Sequence, residues 1–536
     1  MKFCEINNKM PLNCDKNITI NIIKINKIEV KEDCKDQKFE EKTILSYEDA
    51  LKEIGFGRVQ VELLFASFLI LLNVMNETMG ISFIIPVAQC DMNLSESDKG
   101  LLSGIIFVAI IIPSYGWGIM AGSMGRRSII FWSVIGSSIF TCLGAFVSDF
   151  TLFLLCRFFS GLFVAGYSGV IYTYIGEFCI LKHRAILISW ASVSVGFGLI
   201  IMPFTASMIL SYNWKLNFVE FIDFSAWRVL LVIYTLPGIL GIIWLFRLPE
   251  SPKFLLINNR KEEALEIVKW IHKTNLGESK KFDIDDLQSE ESHDDIEIKK
   301  YAGLKKVMLS MKEQTLPLLK PPHLLYFMIC CCLQFGIFCI AGGLALFLPD
   351  ILNKIANAYD ENPIDSFKIC DIMHNEQINY NITKFSDRSC DETINPNVFI
   401  DSMFLGLAFT IAYIATSLFM KPKRRKFIIA ITLLSSSISG ILLNFSESQY
   451  FMIVLICSFV MLAGINSAII SGVACDIFPT KQISTVICIT MIFGRVGTAT
   501  SSSLIGYLLE YDCELAYQSL PIITLLCFTL SLILPT

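Results

Sequence analysis

Residues 118–128, GIMAGSMGRRS, lie between two long apolar runs and indicate the fold. The segment combines three glycines, Gly118, Gly122 and Gly125, with the adjacent arginines Arg126 and Arg127. A short basic turn between two apolar runs is typical of a cytosolic loop between membrane helices, because lysine and arginine concentrate on that side. Any basic pair would satisfy this rule, so the glycine spacing is the more informative part of the segment.

The composition of the whole chain agrees with a membrane protein. Of its 536 residues 54% are hydrophobic and only 17% are charged, and the mean hydropathy is +0.58. Soluble domains carry about 25% charged residues, so this balance excludes an ordinary soluble protein. Most of the 18 cysteines fall inside apolar runs, where cysteine behaves as a small hydrophobic residue.

The apolar runs are long enough to cross a bilayer, which requires about 20 residues of helix. They predict twelve spans, numbered in chain order, at 61–86, 100–120, 128–148, 151–174, 186–210, 228–247, 324–348, 400–420, 427–444, 450–474, 485–508 and 518–535.

The spans form two groups of six on either side of a polar interval. This predicts an all-α integral membrane protein built from two six-helix pseudo-repeat bundles. The expected regions are an N-terminal tail 1–58, a first bundle 59–248, a central loop with amphipathic helices 249–323, and a second bundle 324–536 with an outside loop 350–398.

The basic residues predict the orientation of the spans. They cluster after spans 2, 4 and 8, at Arg126 and Arg127, Lys182 and Arg184, and the sequence KPKRRK at 421–426. These loops share one side, which is therefore expected to be cytosolic together with both termini.

The loop between spans 7 and 8 is then outside the cytosol. It holds Cys370, Cys390 and the glycan acceptor Asn381-Ile382-Thr383. A disulfide between the two cysteines and a glycan on Asn381 agree with that compartment. An unpaired Cys370 is the open alternative.

Several motifs resemble those of the major facilitator superfamily. GIMAGSMGRR resembles its signature after span 2, and Arg157-x3-Gly161 resembles its span 4 signature. Pro249-Glu250-Ser251-Pro252-Lys253 looks like the PESPR motif of the sugar and organic-ion branch. SYEDALKEIGFGRVQ (46–60) and MIFGRVG (491–497) are similar to the group of synaptic vesicle glycoprotein 2 and its related proteins.

The resemblance implies a cytosolic gate, in which an aspartate of the span 2 loop faces the start of span 11 and the following arginines pair with acids. Gly122 stands where that aspartate is expected, Ile483 replaces an arginine, and Lys253 replaces the arginine of PESPR. The expected gate set is Gly118, Gly122, Gly125, Arg126, Arg127, Arg157, Gly161, Glu177, Arg184, Glu250, Lys253 and Asp476.

Ionisable residues in the middle of a membrane are costly and usually functional. Asn73, Asn76 and Glu77 share one face of span 1 by their spacing, and Arg495 lies near the middle of span 11. Glu77 and Arg495 could pair with each other or could each bind a charge on a substrate. Glu77 could instead belong to a structural pair or lie at the level of the outer headgroups, and Arg495 could instead serve helix packing.

Further substrate-binding candidates follow from the resemblance, because that superfamily lines its cavity with spans 1, 4, 7 and 10. They are Tyr172, Tyr174, Gln334, Asn466, Ser467 and Ser471. Taken alone, each is more typical of a packing residue than of a ligand contact.

The sequence favours a secondary transporter that moves a small organic ion or sugar-like solute. A transporter-derived membrane glycoprotein with a binding or trafficking role is the alternative, since the gate motifs are partly lost. No enzyme chemistry, metal site, cofactor or nucleic acid is expected. We expect a monomer in the lipid bilayer of the plasma membrane or a secretory vesicle.

Overall fold

The computed structural model describes residues 44–211, 216–219, 222–277, 284, 286–288, 316–321, 323–361, 367–373, 394–419, 425–478 and 480–534, all within the compact unit Thr43–Thr536. Asn381, Cys390, residues 421–424 and most of the tail 1–58 lie outside these ranges. The side chains of Lys182, Asp476 and Ile483 are not described either.

Each predicted span of the first half coincides with helical structure. In chain order the helices are Arg58–Met79 and Ile81–Met92 (span 1), Glu96–Ile111 and Ser114–Met124 (span 2), Arg126–Ala145, Phe150–Glu177, Leu181–Leu210, and Ala226–Ile233 with Leu236–Leu245 (span 6). Span 1 is interrupted at Gly80, where an added Cβ would lie 2.7 Å from the ring of Tyr234. Span 2 is interrupted beside Pro113, which cannot donate a helical hydrogen bond.

The second half follows the same pattern. Its helices are His323–Phe338, the π-helix Cys339–Leu344 and Ala345–Glu361 (span 7), Pro396–Phe419, Arg425–Leu443, Gln449–Gly464 and Asn466–Ile477 (span 10), Thr480–Tyr511, and Cys513–Ser531. Among the described residues, nine helical segments are long and apolar enough to cross a membrane, and the broken span 2 makes ten. Spans 8 and 11 are helical as well.

Span 7 is longer than predicted. Its apolar run ends at 348, but its helix continues to Glu361. The continuation is amphipathic rather than apolar, and its charged residues Asp350 and Lys354 are buried in ion pairs. The hydropathy pattern therefore predicted a start of the outside loop that lies before the end of the observed helix.

The polar segments add small elements around the bundles. The helices Tyr47–Ile54, Pro252–Ile257 and Lys261–Leu276 are accompanied by the short 3-10 helix Leu316–Leu319. Strand Ile44–Ser46 pairs in parallel with Asp286–Gln288 of the central loop. Strands Leu216–Val219 and Ile222–Phe224 form an antiparallel pair between spans 5 and 6.

The helix Lys261–Leu276 packs under the first half, as its apolar spacing predicts. Ala264, Val268 and Ile271 are buried. At its end, the side-chain oxygen of Asn275 accepts a hydrogen bond of 2.9 Å from the backbone N–H of Val59. This bond satisfies one of the free donors at the start of span 1.

Candidate functional site

Glu77 belongs to a buried polar network inside the first half. Its Oε2 lies 3.1 Å from Nη1 of Arg157, and it accepts hydrogen bonds of 2.8–2.9 Å from Thr141 and 3.1 Å from Ser160. Arg157 also donates to the backbone oxygen of Glu77. Residues of the first half therefore compensate the negative charge of Glu77. The structure thus shows Glu77 in a structural pair, which was one of the hypotheses from the sequence.

Two expectations from the sequence are corrected here. Glu77 does not pair with Arg495, and Arg157 does not belong to the cytosolic gate, because it lies 20 residues before Glu177 on one helix, a rise of about 30 Å. Gly161 is likewise remote from that gate. An added Cβ on Gly161 would lie 2.7 Å from Ala109, so this glycine allows spans 2 and 4 to pack closely.

Asn73 and Asn76 are also buried within the first half. Asn73 donates to the hydroxyl of Tyr167 at 2.9 Å, and Asn76 donates to the backbone oxygen of Tyr234 at 3.0 Å. The remaining oxygen of each amide has no partner among the described atoms. Contact of these two residues with a substrate stays a prediction.

Arg495 lies between the halves at the centre of span 11. It is the sixteenth residue of the 32-residue helix Thr480–Tyr511. Its Nη1 lies 3.4 Å from the hydroxyl oxygen of Ser114 on span 2, the one hydrogen bond of this guanidinium in the described part of the chain. The half-buried Tyr172 of span 4 lies close enough to interact electrostatically with Arg495.

Gln334 and Ser467 approach span 11 from the second half. The amide nitrogen of Gln334 lies 3.4 Å from the backbone oxygen of Ser467 and 3.8 Å from the sulfur of Met491, one turn before Arg495. The side-chain oxygen of Gln334 is buried and has no partner within the described ranges. Ser471 follows Ser467 by one turn and donates to its backbone oxygen at 3.0 Å.

The remaining two substrate candidates are directed elsewhere. Asn466 accepts a bond of 2.8 Å from Thr432 of span 9 and donates to Leu462, so it links helices of the second half. Tyr174 donates to the backbone oxygen of Pro249 at 2.5 Å, at the end of span 4 that is predicted to be cytosolic. We call that end of each span its inner end, and the opposite end its outer end.

The inner end of the first half carries a dense polar cluster centred on Glu250. Its carboxylate accepts hydrogen bonds from the backbone N–H groups of Arg126 and Arg127, at 3.0 and 3.1 Å, at the start of span 3. A carboxylate there compensates the positive end of the helix dipole. Gly125 adopts φ 98°, and an added Cβ would overlap the Glu250 carboxylate, so glycine is required for this approach.

The two arginines extend this inner cluster. Arg126 forms an ion pair of 2.9 Å with Glu177 and lies over the ring of Phe254, while Arg127 donates to the backbone oxygen of Phe246. Arg184 packs against Gly176, where an added Cβ would meet the guanidinium of Arg184.

Tyr47 also joins the inner cluster. It donates to the backbone oxygen of Glu177 at 2.6 Å. Burial, together with the nearby Glu177 charge, raises the pKa of Tyr47 well above its usual value, so its hydroxyl remains a donor at neutral pH. All these partners belong to the first half or to the segments directly flanking it.

The remaining gate positions show no such contacts in the described structure. An added Cβ on Gly118 or Gly122 would meet nothing within 4 Å, and Lys253 is exposed. The described contacts of the gate segment are therefore made with the first half and its flanking segments, and no described atom lies within 4 Å of a Cβ added at Gly118 or Gly122.

The outer ends of spans 2 and 7 are joined by four charged side chains, of which Lys99, Asp350 and Lys354 are buried and Glu96 is partly buried. Lys99 lies 2.9 Å from Glu96 and 3.4 Å from Asp350, and Lys354 lies 2.8 Å from Glu96 and 3.2 Å from Asp350. We call these four residues the outer charge cluster. The sequence does carry a signal for this cluster, since a pair of opposite charges three or four residues apart stands at each of the two span ends.

Small residues bring spans 2 and 11 together beside the outer charge cluster. An added Cβ on Gly506 would lie 2.5 Å from the backbone oxygen of Glu96, and one on Gly104 would lie 3.0 Å from that of Ala499. Ser97 donates to Glu510 at 2.5 Å across the same junction. The outer ends of the two halves are therefore closed against each other.

The predicted pairing of Cys370 with Cys390 is wrong. Cys370 is bonded to Cys513 at the start of span 12, with an S–S distance of 2.17 Å and a Cα–Cα distance of 5.7 Å. Spacing along the sequence cannot reveal connectivity, and the fold brings these two residues within disulfide reach. Cys90 is also disulfide-bonded.

Comparison with known proteins supplies a family. The model of the family described as "Sugar (and other) transporter" matches residues 40–348. Synaptic vesicle glycoprotein 2A of Homo sapiens is 31% identical over 242 residues, which are 45% of this chain and 32% of that protein. Synaptic vesicle glycoprotein 2B of Rattus norvegicus is 32% identical over 238 residues, 44% of this chain and 35% of that protein. The aligned part thus spans about a third of each relative.

Solved structures share the fold. The xylose transporter XylE from E. coli, in a partially occluded inward open conformation, superposes with a TM-score of 0.60 at 14% identity, covering 89% of this chain and all of that chain. The D-xylose-proton symporter superposes with a TM-score of 0.55 at 14% identity, covering 92% of this chain and 98% of that chain.

Proposed function

The chain belongs to the sugar (and other) transporter family of the major facilitator superfamily, and from that premise we propose that it is a secondary transporter. It is a multi-pass membrane protein, and we propose that it moves a small organic solute by alternating access between its two six-helix halves. The observation that carries this proposal is the asymmetry of the pathway. The outer ends are joined by ion pairs between the halves, whereas among the described residues the inner ion pairs and carboxylate contacts connect the first half only to itself and its flanking segments.

The outer charge cluster is arranged so that it can separate. Two of its contacts cross between the halves, Lys99 to Asp350 and Lys354 to Glu96. The other two stay within one helix, Lys99 to Glu96 and Lys354 to Asp350. When the halves move apart, each lysine keeps a carboxylate on its own helix, so opening leaves no buried charge unpaired.

The first half is suited to move as a rigid unit. The Glu77–Arg157 pair locks spans 1 and 4 together in its interior, and the Glu250 cluster ties span 3 to the segment after span 6. Removing one partner of such a buried pair costs about 3–5 kcal/mol, so these contacts should persist during the motion. In this proposal the solute contacts Arg495, Gln334 and Ser467 between the halves.

A second candidate function is binding or trafficking with weak or no transport. It is favoured by Gly122 and Lys253, which stand where the family motifs carry an aspartate and an arginine, and by the likeness to synaptic vesicle glycoprotein 2A. Either candidate function is compatible with residence in a vesicle or the plasma membrane, with cytosolic termini and with a monomeric state.

Uptake by proteoliposomes of the purified full chain tests the proposal. Radiolabelled D-xylose, an organic anion and an organic cation are offered separately, with protein-free liposomes as the control. Saturable uptake of one of them supports transport. If none accumulates, and if neither end of the pathway changes its cysteine accessibility on adding solute, the binding function is favoured instead.

A further inference from the structure

We propose that the solute carried between the halves is an organic anion and that Arg495 binds its negative charge. This inference rests on the proposed transport function and specifies its substrate class. The observations that carry it are the position of Arg495, the lack of an ion-pair partner for it in the described ranges, and the internal neutralisation of Glu77.

Arg495 is placed where a solute would pass. It lies at the middle of span 11, and its guanidinium points from the second half toward Ser114 of the first half. That single contact is long, at 3.4 Å, and involves a neutral hydroxyl. A guanidinium carries five N–H donors, so most of its capacity is available for a ligand.

The charge balance around Arg495 favours a negative ligand. The central acid of span 1, Glu77, is held by Arg157 and two hydroxyl groups. Asp350 is occupied by two lysines at the outer end, and Asp401 is only the sixth residue of the helix Pro396–Phe419. The middle of the pathway therefore carries one net positive charge among the described residues.

An uncompensated positive charge at this depth would be costly as a purely structural feature. A carboxylate-bearing solute would remove that cost while it is bound, through a bidentate pair with the planar guanidinium. The same charge would repel organic cations, so one residue would both attract one class and exclude another.

The side chain of Gln334 further specifies the class of solute. Its buried side-chain oxygen has no partner in the described structure, and its nitrogen lies 3.8 Å from Met491, one turn from Arg495. A hydroxyl donor on a solute that reaches this buried acceptor would satisfy it. A small hydroxylated carboxylate offers both the anion for Arg495 and the donor for Gln334.

Matched solutes test this inference. D-Glucuronate, D-glucose and D-glucosamine share one ring and differ in charge, and benzoate, benzamide and benzylamine repeat the series without the sugar hydroxyls. Uptake and thermal stabilisation of the full chain are measured for all six. We expect the anion of each series to be favoured at least tenfold over its neutral and cationic counterparts, with D-glucuronate favoured over benzoate.

Variants assign the effect to Arg495. Arg495→Gln should abolish the preference for anions, and Arg495→Lys should retain part of it. Arg247→Gln, which removes an arginine stacked on Trp244 at the end of span 6, is the matched control and should change nothing. The thermal midpoint without solute shows whether each variant is folded, and if Arg495→Gln does not fold, Arg495→Lys carries the test.

The outcomes separate this inference from the proposed function. Uptake of D-glucose or D-glucosamine equal to that of D-glucuronate, or an anion preference that survives Arg495→Gln, would overturn the anionic class and leave transport standing. Absence of uptake and of stabilisation for all six solutes overturns the anionic class, and unchanged cysteine accessibility at both ends then counts against transport itself.

Discussion

The two ends of the pathway use charge in opposite ways. At the outer end, the outer charge cluster and the close packing of spans 2 and 11 at Gly104 and Gly506 join one half to the other. At the inner end, the described ion pairs and carboxylate contacts connect the first half to itself and its flanking segments. The outer contacts therefore hold a particular arrangement of the halves, whereas the inner contacts hold the shape of one half. Changes at the two ends should consequently have different effects.

The largest effect is expected from Gly506→Leu. A side chain there would overlap the backbone of Glu96 and Gly100, so the closed outer junction could not form. A reporter at Ser103→Cys, which is buried beneath the junction, should change from protected to freely labelled by an impermeant maleimide. Gly118→Leu, with open space around its Cβ, is the matched control and should leave the reporter protected. Equal protection in both variants would contradict a closed outer junction.

A smaller opening is expected from Lys354→Met in the outer charge cluster. The substitution leaves Lys99 facing two carboxylates, so the closed arrangement carries excess negative charge. Labelling of the same reporter should rise about tenfold, equivalent to about 1.4 kcal/mol. Lys354→Met combined with Glu96→Gln restores neutrality and should reverse most of the rise. If the double variant labels faster than the single one, charge balance is not what closes this end.

Glu250→Gln should lower stability without opening the outer end. The amide oxygen can still accept from the N–H groups of Arg126 and Arg127, but the negative charge at the helix start is lost. The expected cost is about 0.3–2 kcal/mol, seen as a lower thermal midpoint. Glu250→Ala, which removes the acceptor too, should cost more. A change in labelling of the Ser103→Cys reporter would show that the inner cluster also controls the outer end.

The smallest effect is expected from Gly122→Asp. A Cβ added at Gly122 lies more than 4 Å from every described atom, so no clash with the described residues is expected. If the carboxylate gives the inner end a contact with the second half, it should favour inner closure and raise outer labelling by up to about tenfold. Gly122→Asn is the uncharged control. Unchanged labelling would mean that the missing acid does not bias the resting arrangement.

The sequence predicted the positions of the spans well because bilayer thickness fixes the length of an apolar helix. It also predicted that Arg126, Glu177 and Glu250 belong together, since these residues lie in recognisable motifs. It could not predict the partner of Glu77, because that depends on the rotation of spans 1 and 4 about their axes. The outer charge cluster was missed for a related reason, since Lys99 and Asp350 are 251 positions apart. The bond between Cys370 and Cys513 likewise depends on tertiary proximity.

Linking the outer ends covalently tests alternating access most directly. Ser97 and Glu510 face each other across spans 2 and 11, so Ser97→Cys with Glu510→Cys can be bridged by a short bifunctional methanethiosulfonate. Uptake of a transported solute is then measured, with a monofunctional reagent of the same size as the control. The account predicts rapid bridging and loss of uptake with the bifunctional reagent alone. Full uptake by the bridged protein would contradict transport by separation of the outer ends.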